Sequence, residues 1–528
     1  MAQNQQIVIA GGGTAGWLTA CYLARTLRSR HPHSPDITVV ESPEIGIIGV
    51  GEGTFPTIRT TLLTLGIDEA RFLRESSATF KQGIRFDDWV HAPEEKNQQS
   101  NTPQESAHSH YFHPFEFPGR VAGEELLPFW LLGEAGPGVP LADAVTIQKT
   151  IADASRGPKR PQDPDYRGPL NYAYHFDAFR FAGLLAVVAK ELGVRHIADT
   201  IESVQLDSSG AIAGLKTSAH GVVKGDLYID CTGLRAALIG AALQVPFKSC
   251  RDALFCDRAV VCQIPNESPD SPIASYTIAT AHEAGWTWDI GLDNRRGIGY
   301  VYSSSHSNDE SAENVLRTYI GRAREQRPVR FLKFDAGWRE RQWVHNCVAV
   351  GLAAGFFEPL ESTGIMLIEV AAAMIADFYP WGGDYEAPAR LFNNLMRHRC
   401  ENIVHFLKMH YCLGQRSEPF WRDNRRPESI PDGLACLLAA WKHRPPCRFD
   451  FVADYETFPY FSYQYVLYGM GFRTDLEPAR ARYSARADEA RHAFMQLRRL
   501  AHQAAADLPP HRTLLERVRR EGSLEKRA

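Results

Sequence analysis

The sequence predicts an α/β fold in which a nucleotide-binding domain is assembled from three separated segments and a second region is packed on it. Three observations carry that prediction. An apolar β run, a glycine turn and a helix follow one another at the start of the chain. Two further strand-and-glycine units, Asp230-Cys-Thr-Gly233 and Val350-Gly351-Leu352, recur far downstream. Residues 250 to 304 hold several candidate strands and few helical patterns, so a mostly antiparallel inserted sheet is expected there.

In chain order, Gln6 to Ala10 is the first strand, Gly11 to Gly16 the turn, and Trp17 to Leu27 a helix with apolar residues at 20, 23, 24 and 27. Ile37 to Glu41 is a second strand. From about Ala92 to Ser109 the composition shifts to Glu, Asn, Gln, Ser and Pro, which reads as a mobile surface loop or lid. Arg156 to Pro169, rich in Pro, Arg and Asp, reads as a connection. A helix over Asp177 to Leu192 leads into β runs at Arg195 to Leu206 and Ala211 to Ser218, then into Leu227 to Gly233. Cys347 to Gly351 precedes a long apolar helix from about Gly364 to Phe378, and 390 to 528 is mainly helical. The division that follows puts the nucleotide domain in 1–90, 170–240 and 335–380, and a substrate-binding region in 91–169, 241–334 and 381–528.

Charge and composition exclude several classes. Lys plus Arg number 58 against 62 Asp plus Glu, which gives no electrostatic reason to expect nucleic acid or an anionic membrane as partner. No apolar run of about 18 residues is present to span a bilayer, and the N-terminus lacks a basic segment before an apolar one. A cytoplasmic chain is expected. The ten cysteines form no C-x-x-C pair and read as buried small hydrophobes kept reduced. The histidines at 31 and 33, and at 108, 110 and 113, lie in polar surroundings, and no metal is expected.

Gly11, Gly13 and Gly16 satisfy G-x-G-x-x-G between a strand and a helix, and Thr14 and Ala15 of the turn are taken with them as cofactor-binding. The first glycine makes the tight turn, the second lets the backbone approach a pyrophosphate, and the third permits close helix–strand packing. Glu41, closing the second strand, is placed to accept a ribose hydroxyl. NAD-type units are self-contained, whereas the two later returns favour FAD in a monooxygenase-type domain.

Longer motifs then resemble one family, the flavin-dependent tryptophan halogenases. Gly11 to Trp17 resembles its N-terminal signature, Gly49-Val-Gly-Glu-Gly-Thr54 its second flavin loop, and Phe80-Lys81 its lysine segment. Gly285-Trp-Thr-Trp-Asp-Ile290 resembles W-x-W-x-I-P, with Gly291 where the family has proline, and Glu358-Pro-Leu-Glu-Ser-Thr-Gly-Ile365 resembles the glutamate and halide segment. The matches run in family order over residues 7 to 472.

The resemblance implies that reduced FAD, O2 and chloride or bromide yield hypohalous acid, which travels inside the protein to an electron-rich aromatic, an indole. Lys81 would hydrogen-bond that oxidant or form a haloamine. Glu361, beside the lysine in the family, would polarise the oxidant or take the proton of the arenium intermediate. The alternatives from residue type alone are an exposed lysine and a helix-start carboxylate. Gly53, Thr54, Ile197, Leu352 and Ile365 match flavin contacts, and Thr363 and Gly364 the halide site at a helix N-terminus. Trp286 and Trp288, on one face of a strand, separate flavin from substrate in the family. By themselves they read as core aromatics.

His113, Phe115, Glu456, Tyr460 and Phe461 match the substrate wall. The Tyr-Tyr pair that precedes the Glu in tryptophan-specific members is missing, and Asp450 and Asp454 add acid there. An indole lacking the amino-acid group is therefore expected to be preferred over free tryptophan. The chain offers no NAD(P)H domain, so a separate flavin reductase would supply reduced FAD by diffusion. The oligomeric state stays open, a homodimer among the options. The competing readings are an FAD-dependent aromatic monooxygenase and a non-catalytic protein that binds flavin or an aromatic ligand.

Overall fold

The computed structural model describes residues 5–27, 34–46, 49, 51–93, 110–321, 327–451 and 456–524. Two units emerge, each drawn from three stretches. Met1–Ala78, Phe176–Arg251 and Phe334–Glu401 make the first; Thr79–His175, Asp252–Lys333 and Asn402–Ala528 make the second.

The first unit is built on a six-stranded sheet in the order Arg195–Ala198, Asp36–Glu41, Gln6–Ala10, Leu227–Asp230, Cys347–Ala349 and Trp343–Val344. The first five are parallel, with Ile7 opposite both Ile37 and Leu227, and Ile229 opposite Val348. The last strand returns antiparallel. The strand cores are Val- and Ile-rich and buried, as a sheet covered on both faces requires. The three separated strand-and-glycine units therefore meet side by side.

The glycine-loop helix runs Thr14–Leu27, three residues longer at its start than the apolar periodicity indicates, because the helix begins immediately beyond Gly13. Helix Ala178–Glu191 opens where Asp177 accepts the Arg180 N–H at 3.0 Å. The expected β run from Arg195 to Leu206 is two strands. Asp199 breaks it, its carboxylate accepting the N–H groups of Thr200, Ala219 and His220. Arg195–Ala198 stays in the parallel sheet, while Ile201–Leu206 joins a small antiparallel sheet with Ile212–Thr217 and Gly221–Val223.

The second unit holds a seven-stranded sheet ordered Arg330–Lys333, Arg258–Pro265, Arg295–Tyr302, Gly285–Gly291, Thr277–His282, Gly83–Asp87 and His110–Pro114. It is antiparallel except where Gly83–Asp87 runs parallel to Thr277–His282. Residues 79–87 therefore belong to this unit and not with the nucleotide sheet, since Lys81, Phe80 and Thr79 pair with Ala173, Tyr174 and His175. Residues 381–401 fall in the first unit. The C-terminal part is helical as expected, its longest helix Glu386–Cys412, with Tyr460–Gly469, Ala487–Asp507 and His511–Leu524 following.

Eight of the ten cysteines are buried and all ten are free thiols, with Cys436 exposed and Cys447 half-buried. Among the described residues no helix is long and apolar enough to cross a membrane. Most of the stretch read as a lid, 94–109, lies outside the described residues, as do 50 and 452–455.

Candidate active site

On the first unit, Ala10, Glu41, Ala198, Asp230 and Ala349 end parallel strands at one edge, where open α/β sheets take ligands. The three motif glycines turn out to serve different purposes. At Gly11 φ is +106° and a Cβ would lie 2.3 Å from the Cys231 carbonyl oxygen, while at Gly16 it would lie 1.9 Å from the Gly11 oxygen. Protein packing demands those two. Nothing lies within 4 Å of a Cβ at Gly13, so that position keeps space open over the helix start. Such a gap, faced by helix N–H groups, fits a dinucleotide pyrophosphate.

Glu41 packs against Gly12, whose Cβ would sit 2.1 Å from the carboxyl carbon, and lies 3.1 Å from His196 Nε2. Gly351, with φ +67°, seats the later return on the glycine loop: its Cβ would be 2.8 Å from that of Ala15. Leu352 is half-buried beside it. Thr54 is fully buried and Gly53 buried. The Ile197 side chain lies in an apolar cluster with Val8, Val40 and Tyr228, so what it offers a cofactor is main chain. Asp230 is a structural cap, its carboxylate accepting the N–H groups of Thr232, Leu238 and Ile239.

The glutamate segment is strained. Glu361 has φ 64° and Ser362 φ 60°, two consecutive left-handed non-glycine residues, and Glu361 is only 2% exposed. Each such residue costs of order 1–3 kcal/mol and persists where the surroundings over-determine it, commonly at functional sites. Glu358 is as buried, so burial does not separate the two acids; the backbone does. Helix Thr363–Asp377 starts immediately after, with no side-chain cap. Thr363 is buried, Ile365 is buried, and Gly364 is exposed with nothing within 4 Å of a Cβ. Its first N–H groups suit a small anion. Further along, Glu369 accepts the hydroxyls of Thr57 (3.2 Å) and Thr61. Burial pushes its carboxyl up to about 7, with the Thr61 and Thr57 bonds opposing.

On the second unit, Lys81 is fully buried, which rules out the exposed-lysine alternative. Its strand is held at successive residues. Thr79 donates its hydroxyl to the Gly291 carbonyl at 2.6 Å, and the Phe80 N–H goes to His511 Nε2 at 3.1 Å. Gln82 donates its N–H to the Ser275 carbonyl at 2.6 Å and its side-chain amide to Arg156 O and Ser275 Oγ. His175, fully buried, shares a 2.8 Å hydrogen bond with Thr277. Burial first, then the Lys81 charge, holds His175 well below its ordinary range.

Phe115 stands next to the lysine, its ring centroid 5.6 Å from Lys81 Nζ. Its main chain is pinned by Gln148 Oε1 at the N–H (2.7 Å) and Asn171 Nδ2 at the carbonyl (3.0 Å). His113 is buried beside Tyr465 and Phe406, and Phe406 stacks on Phe458, two residues past Glu456. Glu456 accepts from Asn402 Nδ2 at 2.9 Å. Phe461 contacts the exposed ring of Phe117, and the Tyr460 hydroxyl donates to Glu125 Oε1 at 2.5 Å. Trp286 and Trp288 are buried with ring centroids 6.3 Å apart, and the Trp286 indole N–H has no hydrogen-bond partner among the described residues. Gly299 makes room for Trp288, since a Cβ there would fall 2.1 Å from it.

Within the second unit the structure thus unites Lys81 with Phe115, and His113 with the helix Tyr460–Gly469. Glu361 and the glycine loop belong to the first. One expectation is corrected: Asp450 is not a pocket acid, because it pairs with Arg444 and accepts the Trp441 indole N–H at 3.0 Å. Sequence reasoning missed Glu125, His175, Glu369 and His511. His175 and Glu369 are single polar residues in apolar stretches, Glu125 and His511 lie in polar ones, and no motif marks any of them.

The tryptophan halogenase family model matches residues 6–485. A tryptophan 6-halogenase of Streptomyces toxytricini is 35% identical over 88% of this chain and 89% of its own, and its solved structure superposes with a TM-score of 0.88. The tryptophan 7-halogenase of Lentzea aerocolonigenes is 33% identical over 92% of this chain and 93% of its own. A tryptophan halogenase structure from Shewanella frigidimarina has a TM-score of 0.91 at 38% identity, covering 99% of this chain and 98% of its own.

Proposed function

The chain belongs to the tryptophan halogenase family and is a flavin-dependent halogenase of aromatic substrates, and from that premise we propose that it halogenates indoles smaller than free tryptophan, with Lys81 and Glu361 as the reacting groups. Reduced FAD, delivered by a separate reductase, supplies with O2 the oxidation of chloride or bromide to hypohalous acid. The Gly11–Gly16 loop and Glu41 hold the dinucleotide, and the first N–H groups of Thr363 and Gly364 hold the halide. The Lys81 ammonium donates to the oxidant and directs its halogen at the ring. Phe115 and Phe461 hold the indole plane, an attraction of roughly 0.5–1.5 kcal/mol beyond area burial. Trp286 and Trp288 keep substrate away from direct oxygenation. Glu361 stabilises the arenium cation and takes its proton.

One observation carries the reading: a fully buried lysine, on a strand tethered at successive residues, with its cation against an aromatic ring. Taking an ammonium out of water is costly, and the tethered strand fixes where that charge is held. The preference for a small indole rests on the missing Tyr-Tyr pair before Glu456 and on Glu125, which stands against Tyr460 and would repel a carboxylate. Arg448 lies exposed over the Phe449 ring.

The test is one vessel holding reductase, FAD, NADH, bromide, indole and L-tryptophan, followed by mass spectrometry. Brominated indole should accumulate first, with the isotope doublet, and Lys81→Ala should make neither product while binding FAD normally. A higher specificity constant for tryptophan would overturn the substrate assignment, a +16 product the reaction assignment, and wild-type turnover by Lys81→Ala the lysine assignment.

A further inference from the structure

His511 lies outside the residues matched by the family model, 26 positions beyond its end, yet its imidazole enters the strand that carries Lys81. Strand Thr79–Lys81 pairs with Ala173 to His175 along one edge only. The Phe80 N–H is thus a buried donor at risk of having no partner, a loss that a buried amide pays in full. His511 Nε2 accepts it at 3.1 Å. The other ring nitrogen lies 3.0 Å from the Ile273 carbonyl. A carbonyl only accepts and an amide N–H only donates, so the two bonds together require the neutral ring protonated at Nδ1. The residue is 1% exposed, and burial holds its pKa down at about 4.

The imidazole is itself anchored. The His511 N–H donates to the Ser155 carbonyl, Gly157 N–H to Pro509, and the Arg512 guanidinium to the Ser271 carbonyl at 2.6 Å. Arg519 pairs with Asp293 at 2.6 Å. Arg156, within the segment so fixed, accepts the Gln82 side-chain amide at its carbonyl, so the C-terminal helix braces the lysine strand on both sides of Lys81.

We propose that His511 is a positioning residue for halogen transfer, fixing the height of Lys81 by accepting the Phe80 N–H. This rests on the assignment of Lys81 above. Displacement of a reacting group by an ångström costs about 10²-fold in rate, whereas oxidant production on the first unit does not involve this strand.

The holoenzyme is assayed with reductase, bromide and indole in the presence of a β-diketone that traps escaping hypobromous acid. His511→Asn keeps a donor for Ile273 but stops short of the Phe80 N–H, whereas His511→Gln extends an amide oxygen to it. Product per oxidant should fall about 10²-fold in His511→Asn, with the missing bromine on the trap and FAD affinity unchanged. His511→Gln should partition like the wild type. Wild-type partition in His511→Asn overturns the proposal, and so does failure of His511→Gln with FAD affinity intact. Lys81→Ala separates the two claims. If it still halogenates indole, the lysine reading has failed; if it diverts all bromine to the trap while His511→Asn does not, only the histidine has been misassigned.

Discussion

Glu361 and Glu358 are three residues apart in one segment and equally buried, so burial alone does not tell them apart. Their backbones differ: only Glu361 is left-handed, held there with Ser362 at a cost the neighbouring structure must offset. Glu361→Gln keeps the shape and removes the charge, and turnover should fall about 10²-fold, the usual loss when one electrostatic contact to a transition state is removed. Glu358→Gln should lose far less. Steady-state kinetics on both, with FAD titrations alongside, decide the matter, and equal losses would make the whole segment structural. At this scale the motif letters were legible, but the strain that distinguishes the two acids was not, because φ is set by what packs around the turn.

For the glycine loop, sequence spacing treats the three glycines alike and the structure does not. Gly13→Ala meets nothing in the protein, so the fold should melt near the wild-type temperature while FAD binding is lost to contact with the pyrophosphate. Gly11→Ala needs a side chain at φ +106° against the Cys231 carbonyl and should destabilise the protein by about 1–3 kcal/mol whether or not FAD is present. Thermal melts with and without FAD distinguish them; equal destabilisation by both would show that Gly13 also serves packing. The split of the run Arg195–Leu206 carries a similar lesson. Alternation reads the run as continuous, and only the N–H groups of 219 and 220 arriving at Asp199 explain the break.

Stability of the whole molecule carries opposing pH dependences from its buried groups. Glu369 is raised from 4.5 to about 7, so the native state holds that proton more tightly than the unfolded chain. Its contribution is full below pH 4.5 and is lost as pH rises through 7. His511 is lowered from 6.5 to about 4, so its contribution is full above pH 6.5 and is lost as pH falls towards 4. Glu369→Gln removes the first contribution and leaves the second. Relative to wild type, it should gain up to about 3 kcal/mol between pH 5 and pH 8, since each tenfold difference in proton affinity between the folded and unfolded states is worth about 1.36 kcal/mol. Urea unfolding at the two pH values measures the difference, and the same difference at both would contradict a proton held on Glu369.

The sequence by itself determined the α/β class, the glycine loop, the return of distant segments to one sheet, and the motifs that mark the halogenase family. Those follow from local patterns: apolar strands, turn glycines and contiguous motif residues are physical requirements met within a few positions. Tertiary structure alone decided that Lys81 is buried, that residues 79–87 belong to the second unit, that Asp450 is paired away, and that Glu125 meets Tyr460, Glu369 meets Thr57 and His511 meets the Phe80 N–H. Burial and hydrogen-bond partnership are properties of what arrives from elsewhere in the chain. Phe80 and His511 are 431 residues apart, and no periodicity links a strand's orphan N–H to the imidazole that satisfies it.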